Sequence, residues 1–254
     1  MPADLVAGEV GRVFLVFARL GAALMVLPGI GEHYVLPRLR LLLALALSLL
    51  LTPALAERLP ALPEEPLRLA ALLGPEILIG LVLGFATRLA MAAIHVGGSL
   101  IATQSGLAAA GMFDPNEATP GTIPSTFLTV AALAILFAAD FHHLLLRAVA
   151  ASYGVLPVAA PLDLAAAGEL LVGLSASAIT VGTRIAAPMI LAGILVNLAL
   201  GALGRMVPAL PALFVALPLQ LLLALAMLEL ALPAAMRLFA ETLTHGVAWL
   251  DPGG

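Results

Sequence analysis

From Gly97 to Pro124 the chain reads GGSLIATQSGLAAAGMFDPNEATPGTIP. The first part is small and sparsely polar. The second is loop chemistry, Asp114-Pro115-Asn116-Glu117 followed by Pro120-Gly121. Almost everything around it is apolar: hydrophobic residues make up 63% of the 254 positions and charged residues only 10%. The whole chain shares this character, so it reads as one all-α polytopic membrane domain over residues 1–254 rather than a soluble domain with an anchor. Hydrocarbon tolerates non-helical backbone only where protein buries it or where it lines a water-filled space. The stretch is therefore read as a re-entrant or pore-facing element.

Outward from it, six apolar blocks can be marked, roughly at 10–30, 39–56, 67–96, 124–151, 168–203 and 209–240. Turn chemistry separates several of them: Pro28-Gly29-Ile30-Gly31, the run from Pro53 to Pro66, and the run from Pro157 to Pro161. Leu39–Leu51 is the cleanest membrane-compatible run, with Arg38 and Arg40 placed to snorkel to an interface. Most other blocks carry interruptions: Arg12 and Arg19, Glu76 and Arg88, Arg184 and Pro188, Pro218 and Glu229. An ionisable group at the bilayer centre costs at least about 2.5 kcal/mol. Helices with so many interruptions are expected to be shielded by protein or to sit outside ordinary bilayer depth.

Two blocks carry the same device. Glu76, Gly80, Gly84 and Arg88 recur every four residues, as do Gly193, Asn197, Gly201 and Arg205. Each set falls on one helix face, where glycine lets another backbone approach closely. Both faces are expected to meet another helix, within the chain or in a different subunit. All eleven cations are Arg, and their spread over the loops does not fix orientation by the positive-inside rule.

Catalytic readings fare poorly. Cysteine is absent, which removes disulfides, thiol catalysis and Cys-ligated metals. Asp140-Phe141-His142-His143 places Asp140 and His143 on one helix face, but neither HExxH nor its inverse occurs. It reads as a helix end with hydrogen-bonded imidazoles rather than a metal site. Ser175 and Ser177 have no downstream membrane His before His245, so an intramembrane serine protease is not supported. There is no phosphate loop, no dinucleotide fingerprint and no nucleic-acid signal. No cofactor is expected. A secondary transporter for a small solute is the rival reading, given mid-membrane charges and Gly/Pro-interrupted segments. The polar elements, however, do not repeat between the halves. The N-terminus, MPADLVAGEVGR, lacks a positive n-region and a small-residue cleavage site and is expected to stay on the mature protein.

Several segments in order carry a resemblance. They are FARLGAALMVLPGIGE (17–32), PRLRLLLALALSLLLTP (37–53), GPEILIGLVLGFATRL (74–89), GLAAAGMFDP (106–115), FHHLLLRAVAASYGVLP (141–157), NLALGALGRMVP (197–208) and Pro218-Leu219-Gln220. Together they resemble the FliR family of flagellar type III export components, along nearly the whole length. The DP-containing loop and the FHH…SYGVLP block favour the flagellar branch over the injectisome paralogues. Ala209-Leu210-Pro211-Ala212-Leu213 departs from the family's polar run after Pro208.

The resemblance implies helical hairpins with broken helices, similar to a fusion of FliP and FliQ folds. It further implies a non-enzymatic subunit of a gated export channel built with FliP and FliQ. FlhB and FlhA are expected neighbours, flagellar subunits the cargo, and the bacterial inner membrane of the flagellar basal body the location. The family's channel plug maps onto Gly106 to about Pro124, including Gly111, Met112, Phe113, Asp114, Pro115, Asn116 and Glu117. On that mapping Met112 and Phe113 would close the pore, and Asp114-Pro115 would fix the turn projecting them.

Overall fold

The second helix, α2 (Pro37–Ala54), turns its leucines outward. Its buried positions are Ala44, Ser48 and Thr52, four residues apart, whereas Leu41, Leu42, Leu45, Leu49 and Leu50 are exposed. The buried hydroxyls donate to their own helix, Ser48 Oγ to Ala44 O at 2.6 Å and Thr52 Oγ1 to Ser48 O at 2.7 Å. Small residues inside and large apolar ones outside is the pattern of a helix facing lipid.

This is a computed structural model that describes residues 2–60, 63, 65–106, 122–158, 163–206, 212–248 and 250. Besides α2 it contains α1 (Pro2–Val26), α3 (Pro66–Gln104), α4 (Ile123–Ala138), α5 (Phe141–Val155), α6 (Leu164–Met206) and α7 (Ala212–Ala248), with one 3-10 turn at Ala56–Arg58. Among the described residues there is no strand, so the protein is an all-α polytopic membrane protein. Among the described residues four helices are long and apolar enough to cross a membrane: Pro37–Ala54, Leu67–Gln104, Leu164–Met206 and Pro218–Ala248. The pair α4 and α5, bent by 71° at a short break, makes a fifth if counted as one span.

Helix α3 continues past Gly97 and ends only at Gln104. The loop chemistry is therefore shorter than the Gly97–Pro124 stretch as a whole. Prolines also interrupt less than their positions suggest. Pro75, Pro188, Pro218 and Pro233 all lie inside continuous helices. A proline removes one backbone hydrogen bond, and in membrane helices neighbouring groups re-satisfy the freed carbonyl.

The chain forms two compact units. The first comprises Met1–Leu89, Leu136–Leu174 and Leu243–Gly254. Its core is the stripe Leu15, Val16, Leu20, Leu24 and Leu27 of α1, together with Ile79 and Leu83 of α3 and Leu145, Val149 and Tyr153 of α5. The turn after α1 needs Gly29, whose φ of 84° belongs to the left-handed region. The second unit comprises Ala90–Ile135 and Ser175–Thr242. Its interior is rich in small residues, Ala90, Ala93, Ala132, Ala178, Ala186, Ala224 and Ala235, with Ile94, Ile101, Leu128, Ile185 and Phe239. Its helices approach closely where a glycine faces a neighbour. A Cβ at Gly182 of α6 would lie 2.8 Å from Ala93 O, and one at Gly97 of α3 would lie 2.9 Å from Ile185 Cγ2.

Candidate functional site

In the first unit the face carrying Glu76, Gly80, Gly84 and Arg88 packs on α1 and the turn that follows it. The backbone carbonyl of Arg19 sits where a Cβ of Gly80 would be, and a Cβ at Gly84 would lie 2.9 Å from both Ala23 O and Val26 Cβ. Glu76 pairs with Arg19: Nε donates to Oε2 at 2.7 Å and Nη2 to Oε1 at 3.0 Å. Both side chains have 0% exposure. A buried ion pair persists only if its remaining donors also find partners. Here Nη1 donates to Ser152 Oγ at 3.1 Å, Nη2 also to Leu156 O at 2.9 Å, and the guanidinium carbon lies 3.9 Å from the Tyr153 ring centroid. Arg88 does not pair with Glu76; it lies 3.8 Å from Glu32 and donates to Val26 O at 3.3 Å.

The second unit holds the two ends of the loop segment. At the first end, Gly106 has φ of 74° and its amide donates to Thr103 O at 3.5 Å. Ser105 is buried and donates to Ala102 O at 3.0 Å. At the second end the Thr126 amide donates to Thr122 O at 2.9 Å, opening α4. Two contacts fix α3 against the start of α4. Ser125 Oγ and His95 Nδ1 lie 2.7 Å apart, and the Ser125 backbone occupies the space a Cβ of Gly98 would need. Gly111, Met112, Phe113, Asp114, Pro115, Asn116 and Glu117 lie outside the described residues, as do Ala209, Leu210 and Pro211.

The other stripe is closed at one end only. A Cβ at Gly193 would lie 2.8 Å from Gln104 Oε1, and Gln220 Nε2 donates to Asn197 Oδ1 at 3.5 Å. Among the described residues nothing lies within 4 Å of a Cβ at Gly201, and Arg205 is exposed. Leu191, Leu195 and Leu198 beside them are exposed as well. Arg184 of α6 and Glu229 of α7 also face outward near the middle of long apolar helices, with no ion pair among the described residues.

Sequence reasoning missed three relationships. Ser152, Tyr153 and the Leu156 carbonyl complete the Arg19 site, although the SYGVLP block that holds them is conspicuous. The His95–Ser125 contact joins residues 30 apart with no motif between them. Arg40 also makes contacts the sequence did not indicate. It turns back on the loop before α2, donating from Nε to Val35 O at 3.1 Å and from Nη2 to Val35 O at 2.8 Å and Glu32 O at 3.1 Å. At the α4–α5 junction, Asp140 Oδ1 lies 3.4 Å from His143 Nδ1 and 4.0 Å from His142 Nε2. The His142 imidazole is not fully hydrogen-bonded as expected, because its buried Nδ1 has no partner among the described residues.

Comparison with known proteins covers almost the whole chain. Residues 10–246 match the family described as bacterial export proteins, family 1. The flagellar biosynthetic protein FliR of Caulobacter vibrioides is 35% identical over 91% of this chain and 92% of its own length. FliR of Pectobacterium carotovorum is 32% identical over 91% and 90%. The Yop proteins translocation protein T of Yersinia pestis is 26% identical over 87% and 85%.

Proposed function

The chain belongs to family 1 of the bacterial export proteins, the FliR family, and on that footing we propose that it is a structural and gating subunit of the flagellar type III export channel. The greater identity to the flagellar relatives than to the Yersinia protein supports the flagellar branch. The observation that carries the subunit reading is the position of Arg184 and Glu229. Each is exposed near the midpoint of a helix long enough to span a membrane. Facing lipid there, each would cost at least about 2.5 kcal/mol; paired with a partner's polar or charged groups, or facing a watery channel, that cost is offset. The open end of the α6 stripe, from Leu195 through Gly201 to Arg205, is a second surface of the same kind. FliP and FliQ are the partners that cover these surfaces, FlhB and FlhA are neighbours, and the assembly sits in the inner membrane.

Gating falls to the segment between Gly106 and Pro124. The start of α4 is held against α3 within one unit by the Ser125–His95 and Ser125–Gly98 contacts, which gives the segment a fixed base. Met112 and Phe113 supply the apolar closure. Deleting residues 111–120 tests this: the assembled channel should leak ions or small solutes while assembly persists. Unchanged conductance in an intact assembly removes the plug role and leaves the structural one.

A further inference from the structure

We propose that Asp140, His142 and His143 form a binding site for a divalent transition-metal ion at the junction of α4 and α5. This stands independently of the export reading. One potential ligand atom from each of the three residues lies within 4.8 Å of the others.

The local backbone explains the convergence. Only Ala139 and Asp140 separate α4 from α5, and Asp140 turns the chain with φ of 57° and ψ of 21°. Asp is among the few residues that accept this left-handed conformation. Asp140 occupies the N-cap position of α5, yet its side chain makes no capping hydrogen bond. The carboxylate is instead turned over the first helical turn, where the two imidazoles stand. His142 is braced from behind by Phe137, with ring centroids 5.3 Å apart, and the two imidazole centroids are 4.1 Å apart.

The spacing suits a tetrahedral ion. Metal–ligand bonds of about 2.0–2.1 Å place neighbouring ligand atoms roughly 3.3 Å from each other. Asp140 Oδ1 and His143 Nδ1 are already 3.4 Å apart, and the 4.0 Å to His142 Nε2 closes with a small side-chain adjustment. At those distances a strong hydrogen bond between carboxylate and ring is not the better explanation. Two imidazoles and one carboxylate suit zinc, nickel or copper, whereas magnesium and calcium prefer oxygen ligands alone. Side-chain exposures of 75% for Asp140 and 60% for His143 leave the fourth position open to water or to a ligand from another chain.

Titration of the detergent-purified full-length chain with zinc chloride, read by calorimetry and repeated with cobalt(II) for its visible absorption, tests the site. His143→Ala removes one exposed ligand. Asp140→Asn removes the charge with a residue that keeps the left-handed turn. The wild type should bind one equivalent saturably, each variant should bind at least about tenfold more weakly, and His245→Ala should bind as the wild type does. Absence of saturable binding overturns the proposal. So do wild-type affinity in both His143→Ala and Asp140→Asn, or a loss in His245→Ala as large as theirs.

Discussion

Arg19 and Glu76 stand 57 residues apart in sequence and meet as a two-pronged ion pair that is wholly buried between α1 and α3. Removing one partner strands the other charge. Glu76→Ala is expected to destabilise the first unit by about 3–5 kcal/mol, read as a lower thermal unfolding temperature in detergent. Arg19→Met combined with Glu76→Leu should recover much of that loss, because the uncompensated charge is gone. A Glu76→Ala protein as stable as the wild type would mean that water reaches the pair.

The two glycine stripes should separate. Gly80→Ala drives a methyl into the Arg19 carbonyl and should cost about 1–3 kcal/mol in fold stability. A Cβ at Gly201 meets nothing within 4 Å among the described residues, so Gly201→Leu should leave the isolated chain's unfolding temperature unchanged while weakening complex formation with FliP and FliQ. Equal behaviour of the two variants in the isolated chain would contradict this division.

Arg40 should govern the loop before α2. With Arg40→Ala, the amides of Gly31 to Val35 should exchange hydrogen faster, measured by mass spectrometry, with α2 itself little changed. Arg40→Lys should restore only part of the protection, since an ammonium lacks the planar fork that reaches several carbonyls at once. Full protection in Arg40→Ala would show the loop to be held by other contacts.

The absence of cysteine allows a clean labelling experiment. Leu198→Cys lies on an exposed face of α6. It should react readily with a water-soluble maleimide in the isolated chain and become protected when FliP and FliQ are present. Undiminished labelling in the assembled complex would remove this face from the interface.

Much of this was legible in the sequence because the signals are local or periodic. The turn at Pro28-Gly29 is written in its residues, and the four-residue spacing of Glu76, Gly80, Gly84 and Arg88 defines a single face. What that face meets is not written there. Glu76 finds Arg19 and Arg88 finds Glu32 because α3 runs alongside α1, a tertiary outcome that spacing within α3 does not encode. Arg40 is similar: which turn carbonyls its guanidinium reaches depends on the path of the chain before α2, not on its own position in the helix. Pro188 and Pro218 look like breaks, yet each lies inside a continuous helix, as membrane helices tolerate. Gly97 and Gly98, the small residues ahead of the loop chemistry, are packing contacts of a helix that ends at Gln104.

The central claim is that this chain is a subunit whose outward mid-helix charges are covered on assembly. Co-expression with FliP and FliQ, followed by affinity purification through a tag on this chain and native mass measurement, tests it most directly. The account predicts a stable complex containing all three proteins, and loss of that complex when Arg184 and Glu229 are both replaced by the opposite charge. A monodisperse chain that purifies alone beside abundant FliP and FliQ, and binds a small solute by itself, would contradict it.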